Sequence, residues 1–472
     1  MRGIGPSRLG VFGPGHLGEL TGWVPGALVD EVLAATGRVE KRVRLLPARV
    51  VVYFVLAMVL FMDCGYGGVW ASLVAGLPRS GLSDPSSAAL RHARRRLGAA
   101  PLAMLFDRLR GPVASAGTVG AFWRGLRVVA WDGTSLEVAG SAANVARFGL
   151  HGSGCSRPAS YPQVRLTALV ECGTRALIAV VFGPRDQQER VQAHALLSAL
   201  ERGMLLLADR GYDGFELIRD AAATGADLLW RMHTRRNLPV LHALADGSHL
   251  SVITDTRSMA RLTAWLNRAS RTVPPQVTGV AVRVISFSVT VTTASGERST
   301  TDVRLITTLL DPDRYPATEL AALYHERWEA ETAYFGLKVT LRGADRVLRS
   351  HWDDGVDQEI YALLIVFQIT RTAMTQAATA AGIDPDRLSF TIALRTARLR
   401  VITAAGALGA PVPQVPFADV LVLARNLGPR RRRSRISPRC VKRTLSPYAY
   451  NKVAGSVGGK KPVEITIAIA PS

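Results

Sequence analysis

The order of its β-rich and helical segments is the feature that most restricts how this chain of 472 residues can fold. Between Arg127 and Met232, three segments of β-strand character come first, and helical and β-rich segments alternate after them. We predict three strands, a helix, a strand, a helix and a strand, over 127–138, 163–172, 175–182, 189–200, 204–208, 215–224 and 227–232. Strands that alternate with helices indicate an α/β domain, and the first three strands are expected to form an antiparallel meander.

This β, β, β, α, β, α, β order is typical of a ribonuclease-H-like core. A block that we interpret as all-β follows at about 235–312, and helices return from Pro316 to Lys338 and from Val356 to Ala381. The predicted fold class is therefore multidomain α/β with an inserted all-β block. The predicted domains are a flexible N-terminus (1–20), a helical N-terminal domain (21–115), the core with its insertion (122–385), and a C-terminal region with a basic, partly disordered tail (386–472).

Net charge narrows the class of partner. Lys and Arg number 58 against 37 Asp and Glu, a formal charge of +21, and this surplus favours a polyanion, either nucleic acid or an acidic membrane surface. The most apolar run, Val50 to Met62, is shorter than the ~20 residues of a membrane-spanning helix. We interpret it as a buried core helix and expect no membrane partner.

The four cysteines are far apart, which indicates neither a disulfide framework nor a zinc site and suits a reducing cytoplasm.

Two basic segments are candidates for phosphate contact. Ser83-Asp84-Pro85 predicts the start of a helix that carries Arg91, Arg94, Arg95 and Arg96. With the shorter helix before it, this segment resembles a helix-turn-helix, and a solvated basic face on an ordinary helical bundle is the alternative. Near the C-terminus, a run of cations without any acid includes Arg430, Arg431, Arg432 and Arg433. We expect this tail to contact DNA phosphates without sequence preference, and the alternative is a solubilising tail.

Two aspartates are candidates for chemistry. Asp132 lies inside an apolar strand, where a carboxylate loses solvation unless a positive group compensates it. The alternative is a turn aspartate in an Asp-Gly hairpin. Asp209 follows the predicted strand 204–208, at the carboxyl end where α/β sheets collect their ligands. The alternative for this residue is a strand-ending aspartate that pairs with Arg210.

Residues 324–338 hold the most informative pattern of the sequence. At about 100° per residue, a single helix would place four polar residues on one narrow stripe, namely Tyr324, Arg327, Glu331 and Lys338. On this helix Trp328, Tyr334 and Phe335 fall on the same side, whereas His325, Glu326 and Glu329 fall on the opposite, solvated side. Charged groups bordered by aromatic rings on an inward face are expected to face a site or to pair with one another.

These residues match the signature of a known family. Their spacing, Y-x2-R-x3-E-x6-K, resembles at every position that of the DDE transposases of the insertion-sequence-four family. Asp132-Gly133-Thr134 and Ala208-Asp209-Arg210-Gly211-Tyr212 also resemble the family's two aspartate motifs. The similarity extends from the N-terminal helices, which resemble the family's DNA-binding domain, to about Ala381, and the basic tail lies outside it.

The resemblance implies a metal-dependent enzyme that cuts and joins DNA. Asp132, Asp209 and Glu331 would be catalytic and would hold two Mg²⁺ ions, for which Mn²⁺ can substitute, because such hard cations prefer carboxylate oxygen. Tyr324, Arg327 and Lys338 would contact DNA phosphates near the cut. The partner would be double-stranded DNA, both at the inverted repeats that end the element and in the target. A freed 3′-OH would attack the opposite strand to form a hairpin before strand transfer. The family also implies a homodimer on DNA, in the bacterial cytoplasm and associated with the nucleoid.

Two other functions stay open. A decayed or domesticated copy would be a catalytically silent DNA-binding regulator, although the intact motifs argue against decay. A stand-alone nuclease on the same fold would cut DNA without regard to the sequence of its ends. Trp230 and Trp265 are available in or near the inserted block to stack a flipped base, as some relatives do, but neither is assigned that role.

Overall fold

The computed structural model describes residues 15–42, 44–77, 84–150, 161–268, 275–292, 298–344, 346–406, 415–427 and 464–470. By its internal contacts the chain forms two compact units. The first consists of Met1–Leu205 with Glu326–Arg430, and the second of Leu206–His325 with Arg431–Ser472. Helices and strands occur in both units, so the predicted α/β class is confirmed.

A group of mostly apolar helices begins the first unit: α1 (Gly26–Ala35), α2 (Ala48–Leu60), α3 (Tyr66–Val74), α4 (Ser87–Leu97) and α5 (Ala100–Leu109). Every residue of α2 except Arg49 is buried, because α1, α3 and α4 pack around it. The prediction of a buried core helix is therefore confirmed. The N-cap of α4 is Ser86, which accepts the N–H of Ala89 at 3.1 Å, so the helix begins later than the Ser83 cap predicts.

An antiparallel meander follows in the first unit, as predicted: β1 (Phe122–Trp123), β2 (Leu126–Glu137), β3 (Gln163–Glu171) and β4 (Leu177–Pro184), with α6 (Ala142–Phe148) between β2 and β3. The pairs are β1 with β2, β2 with β3, and β3 with β4. Next come α7 (Glu189–Leu196) and β5 (Met204–Ala208), and the boundary between the units falls within β5. The N–H of Arg127 donates to Gly203 at 2.8 Å, so β5 begins beside the start of β2.

The second unit continues with α8 (Phe215–Ala223), β6 (Asp227–Arg231), β7 (His242–Ala243), β8 (His249–Ile253), α9 (Thr256–Leu266), β9 (Val280–Thr292), β10 (Arg298–Thr307) and α10 (Ala317–Leu323). Apart from β1 and α6, which the sequence does not predict, the segments up to β6 follow the predicted β, β, β, α, β, α, β order. The strands of the second unit pair antiparallel with one another in the order β6, β10, β9, β8, β7. The inserted block is not all-β as expected, because it contains α9, which Asp255 caps by accepting the N–H of Ser258 at 2.9 Å.

The chain then returns to the first unit with α11 (Trp328–Phe335), α12 (Asp353–Ala380), α13 (Phe390–Ile402) and α14 (Phe417–Leu423). The long helix α12 packs against α2, α5, α13 and α14, and α11 packs against β2 and β3. The N-terminal helices and the C-terminal helices of this unit therefore share one core. The strand β11 (Glu464–Ile469) belongs to the second unit and pairs antiparallel with β9. Among the described residues, no helix combines the length and the apolar character needed to cross a membrane.

Candidate active site

Asp132 lies near the middle of β2, in register with Ala168 of β3. The alternative of a hairpin-turn aspartate is therefore wrong. The Oδ1 atom of Asp132 accepts the N–H of Gly133 at 2.9 Å, and the side chain is 21% exposed to solvent. Trp131 is fully buried, and successive side chains of a strand point to opposite faces. Asp132 thus lies on the other face of the strand, and α11 approaches β2 there.

The motif segment is not the single α-helix that the sequence predicts. It consists of a 3₁₀ turn at Tyr324–Arg327, the α-helix α11, and a π-helical turn at Gly336–Leu341. Two predictions about its faces are also wrong. Phe335 is 52% exposed rather than inward. Glu329 is not solvated, because Arg175 in the turn between β3 and β4 reaches it with an Nε to Oε2 distance of 2.5 Å.

Arg327 lies between the two candidate catalytic acids of the first unit, Asp132 and Glu331. Its Nη1 atom lies 4.0 Å from Asp132 Oδ2, and its Nη2 atom lies 3.2 Å from Glu331 Oε1. The guanidinium also lies over the ring of Trp328, 5.1 Å from the centroid, and Arg327 is 5% exposed. Arg327 is therefore a buried cation that helps to offset the cost of holding these two carboxylates close together. From the sequence, the inward charged residues of the motif are expected either to face a site or to pair with one another. The contacts of Arg327 show such pairing.

Lys338 contacts the same strand from the π-helical turn. Its Nζ atom donates to Thr134 Oγ1 at 3.0 Å. Thr134 is two residues beyond Asp132, and residues so spaced lie on one face of a strand. Lys338, which is half-buried, therefore lies on the side of β2 that carries the first acid.

The second unit holds Asp209 and Tyr324. Asp209 directly follows β5, and its side chain accepts the N–H of Arg210 at the start of a short 3₁₀ turn. Tyr324 Oη donates to the carbonyl of Ala208 at 3.1 Å. The first residue of the motif is therefore anchored where β5 ends, next to the second aspartate. The position predicted for Asp209, at the carboxyl end of a strand, is confirmed.

Within each unit, predicted site residues thus lie close together. In the first unit, Asp132, Arg327, Glu331 and Lys338 gather on β2 and the motif segment, and in the second, Asp209 and Tyr324 meet at the end of β5. No group of three or more His, Cys, Asp or Glu side chains in the described part of the chain is arranged to hold a metal ion. The oxygen donors of Asp132 and Glu331 suit a hard divalent cation, and they already converge on one positive group.

One arginine of the basic helix α4 cannot contact DNA. Arg94 is fully buried, and it lies on the buried stripe that Leu90, Ala93 and Leu97 form. Its guanidinium donates to Gln358 at 3.1 Å and lies 3.6 Å from the carboxylate of Glu359. The prediction of a phosphate contact is therefore wrong for Arg94, because its charge is used to hold α4 against α12.

The other predicted DNA-contact residues differ in their surroundings. Arg91, Arg95 and Arg96 are exposed on α4, and Arg95 lies over the ring of Trp352 at 5.1 Å. These three side chains are accessible to a phosphate backbone. The four tail residues Arg430, Arg431, Arg432 and Arg433 lie outside the described residues.

A basic groove lies beside Arg96, mostly on residues that the sequence patterns do not single out. It encloses about 360 Å³, and its cations are Arg38, Lys41, Arg42, Arg44 and Arg96. Its floor is apolar, formed by residues such as Leu46 and Leu97, and Glu40 is its one acidic lining residue. Among the described residues, none of the five cations forms an ion pair with a carboxylate. The closely spaced cations at 41, 42 and 44 are the sequence signal that could have located it.

Models of two known protein families match this chain. The family model described as "Insertion element 4 transposase N-terminal" matches residues 14–107. The model described as "Transposase DDE domain" matches residues 123–367, which is more than half of the chain. The second match includes the strand of Asp132, the strand end at Asp209 and the whole motif segment.

A curated relative matches almost the entire chain. The "Transposase InsG for insertion sequence element IS4" of Escherichia coli (strain K12) is 27% identical over 437 residues, which is 92% of this chain and 93% of that protein. Among solved structures, a piggyBac transposase synaptic complex with hairpin DNA aligns over 95% of this chain and 94% of that chain, with 11% identity and a TM-score of 0.43. That alignment is too loose to support an argument. The two family matches are sufficient, and the chain belongs to the DDE transposases of the insertion-sequence-four family.

Proposed function

We propose that this transposase binds the ends of its insertion sequence and catalyses metal-dependent DNA cleavage and strand transfer. The observation that carries the proposal is the convergence of Asp132 and Glu331 on Arg327. The first of these acids lies in the Asp-Gly-Thr strand, and the other two residues belong to the family's motif. If the Arg327 side chain moves away, the two carboxylates form a strongly negative site. Such a site favours the binding of a divalent metal ion.

Asp132, Asp209 and Glu331 are the proposed ligands of two Mg²⁺ ions, with Mn²⁺ as a substitute. The side chains of Asp132 and Glu331 keep 21% and 30% of their exposure, so ions from solvent can reach them. When bound, such ions activate the attacking oxygen and stabilise the leaving oxygen of a phosphoryl displacement. Arg327 would then release at least one of the two carboxylates.

The released guanidinium of Arg327 has the planar donor set of a bidentate phosphate contact. Lys338 adds a point charge beside β2, and Tyr324 adds a hydroxyl at the end of β5. We propose that these three side chains contact the DNA backbone near the cleaved bond. Arg91, Arg95, Arg96 and the basic groove are the proposed contacts with duplex DNA away from the cut, and Arg430, Arg431, Arg432 and Arg433 are proposed to add contacts without sequence preference.

The order of the chemical steps is proposed from family membership. Water would hydrolyse one phosphodiester at the element end and free a 3′-OH. This 3′-OH would attack the phosphodiester of the opposite strand, which closes a hairpin and releases the flanking DNA with a 3′-OH. A second water would hydrolyse the hairpin and restore the 3′-OH, which then attacks a phosphodiester of the target DNA and displaces a 3′-OH there. Assembly as a homodimer on paired ends, in the bacterial nucleoid, is proposed on the same basis.

The test is cleavage of duplex DNA that ends in the inverted repeats flanking the gene. With Mg²⁺ or Mn²⁺ the purified protein is expected to cut at the repeat, and a denaturing gel would show the hairpin as one strand of double length. Asp132→Asn, Asp209→Asn and Glu331→Gln are each expected to abolish cleavage, because each removes a charged metal ligand. Binding to the same duplex is expected to survive in all three.

Glu216→Gln is the matched control, since it removes one exposed carboxylate from α8 and is expected to cleave normally. Metal-independent cleavage would contradict the proposal. Cleavage by any of the three acid variants would also contradict it. Binding without cleavage by the unaltered protein, under every metal tested, would support the silent regulator instead.

A further inference from the structure

Tyr334 ties the helix that carries Glu331 to the strand that carries Asp132. Its hydroxyl accepts the N–H of Ala168 at 2.9 Å and donates to the carbonyl of Asp132. Asp132 and Ala168 are partners in register across β2 and β3. The hydroxyl therefore bridges the two strands at the position of the first acid.

The placement of Tyr334 on α11 gives this bridge its meaning. Tyr334 is three residues beyond Glu331, and residues so spaced lie on one side of a helix. It is 5% exposed, and a phenylalanine would fill the same space between the helix and the sheet. The oxygen atom is thus the part of the side chain that packing does not require. The two hydrogen bonds described above are both to main-chain atoms.

We propose that Tyr334 is a positioning residue, whose hydroxyl sets the separation between Glu331 and Asp132. The inference rests on the proposed cleavage activity and adds a residue outside the Tyr-Arg-Glu-Lys motif. Arg327 also connects the two acids, but through a long side chain with several rotatable bonds and with a distance of 4.0 Å to Asp132. The tyrosine ring is rigid, and its bonds to the backbone fix the strand itself.

Tyr334→Phe removes the oxygen and keeps the ring. At saturating DNA, the single-turnover cleavage rate is expected to fall by about 10- to 100-fold, because displacement of a catalytic group by about 1 Å has effects of this size. The dissociation constant for the end duplex is expected to stay within about twofold, because no DNA contact is proposed for this residue. The Mg²⁺ concentration for half-maximal rate is expected to rise, because the two carboxylates are held less firmly.

Tyr53→Phe is the matched control. Tyr53 is a fully buried residue of the same unit, and its hydroxyl donates to the carbonyl of Val24 at 2.6 Å. Both variants lose a buried hydroxyl, so both are expected to unfold at slightly lower temperature. Only Tyr334→Phe is expected to change the rate and the Mg²⁺ requirement.

A positioning role is overturned if Tyr334→Phe cleaves at the normal rate, or if the two variants lose activity equally. Hydrogen exchange of the unaltered protein gives a second measurement that does not depend on folding of the variant. The Ala168 N–H is expected to be protected, and rapid exchange at this amide would overturn the bridge itself. Failure of the unaltered protein to cleave would remove the proposed function as well, whereas normal cleavage by Tyr334→Phe would remove only the positioning role.

Discussion

Two arginines that the sequence marks for DNA contact bind carboxylates of the protein itself. Arg94 is buried beside Glu359, and Arg327 lies between Asp132 and Glu331. Residue type alone does not distinguish these two buried arginines from the exposed Arg91, because a guanidinium binds a phosphate and a carboxylate with the same donor groups. The helical period does distinguish Arg94, since Leu90 and Leu97 place it on the buried stripe of α4.

We expect Arg94→Met to destabilise the first unit by about 3–5 kcal/mol, because it leaves Glu359 buried without its cation. Urea-induced unfolding followed by circular dichroism measures the effect. Arg91→Met removes an exposed charge from the same helix and is expected to change stability by less than about 0.5 kcal/mol. Equal effects of the two substitutions would show that Arg94 is not held as the structure has it.

At the scale of elements, the sequence predicts the core strands well and the motif segment poorly. The strands around Asp132 and Asp209 are recognisable because apolar β-rich runs stand between clear turns. The motif segment does not follow one regular α-helical pitch, because a 3₁₀ turn precedes α11 and a π-helical turn follows it. Gly336 begins the π-helical turn, and a Cβ atom there would lie 3.2 Å from the ring of Phe367. Such crowding comes from α12, far along the chain, and no local pattern contains it.

The same limit applies to the candidate site. The sequence supplies the acids and the motif, because their spacing is a property of the chain. It cannot supply the partners of Arg327 or the bridge by Tyr334, since both depend on how α11 lies against β2 and β3. The sequence does not predict α9 for another reason. It is a single amphipathic helix between β-rich runs, and an aspartate such as its cap, Asp255, is equally typical of a turn.

The basic groove belongs to the elements around α4, and we expect it to bind duplex DNA through its phosphates. A triple substitution of Arg38, Lys41 and Arg44 to alanine is expected to weaken binding of any duplex. The slope of log K against log salt concentration should fall by up to about one unit per lost contact. Fluorescence anisotropy over a salt series measures both quantities.

The matched control is a triple substitution to alanine of Arg202, Arg219 and Arg387, which are exposed and lie outside the groove. It removes the same charge and is expected to change the slope less. If both triple variants weaken binding equally, net charge rather than the groove determines affinity. Cleavage by the groove variant at saturating DNA is expected to be normal.

Over the whole molecule, the chain contributes to each unit in two separate stretches. The last described strand, β11, returns to the second unit and pairs with Phe287–Thr292 of β9, and β8 pairs with the other half of the same edge. Together they leave that edge of β9 covered. An uncovered edge presents free N–H and C=O groups to other chains and promotes aggregation.

Deletion of residues 464–472 is therefore expected to make the protein aggregate as its concentration rises. Light scattering during size-exclusion chromatography measures this effect. The deletion removes no basic residue, so DNA affinity of the monomeric fraction is expected to be unchanged. Deletion of residues 471–472 alone is the control and should leave the elution profile unaltered. A monodisperse longer deletion would show that β11 does not protect the edge.

The bridge formed by Tyr334 ends on main-chain atoms of Asp132 and Ala168, so it does not depend on which side chain stands at position 132. A gene copy in which that aspartate has mutated would keep the architecture around the vacant position. On the proposed function, such a copy would still bind the same element ends and would compete there with intact copies in the same genome. An inactivating mutation at position 132 would then produce an inhibitor of transposition rather than an unfolded protein.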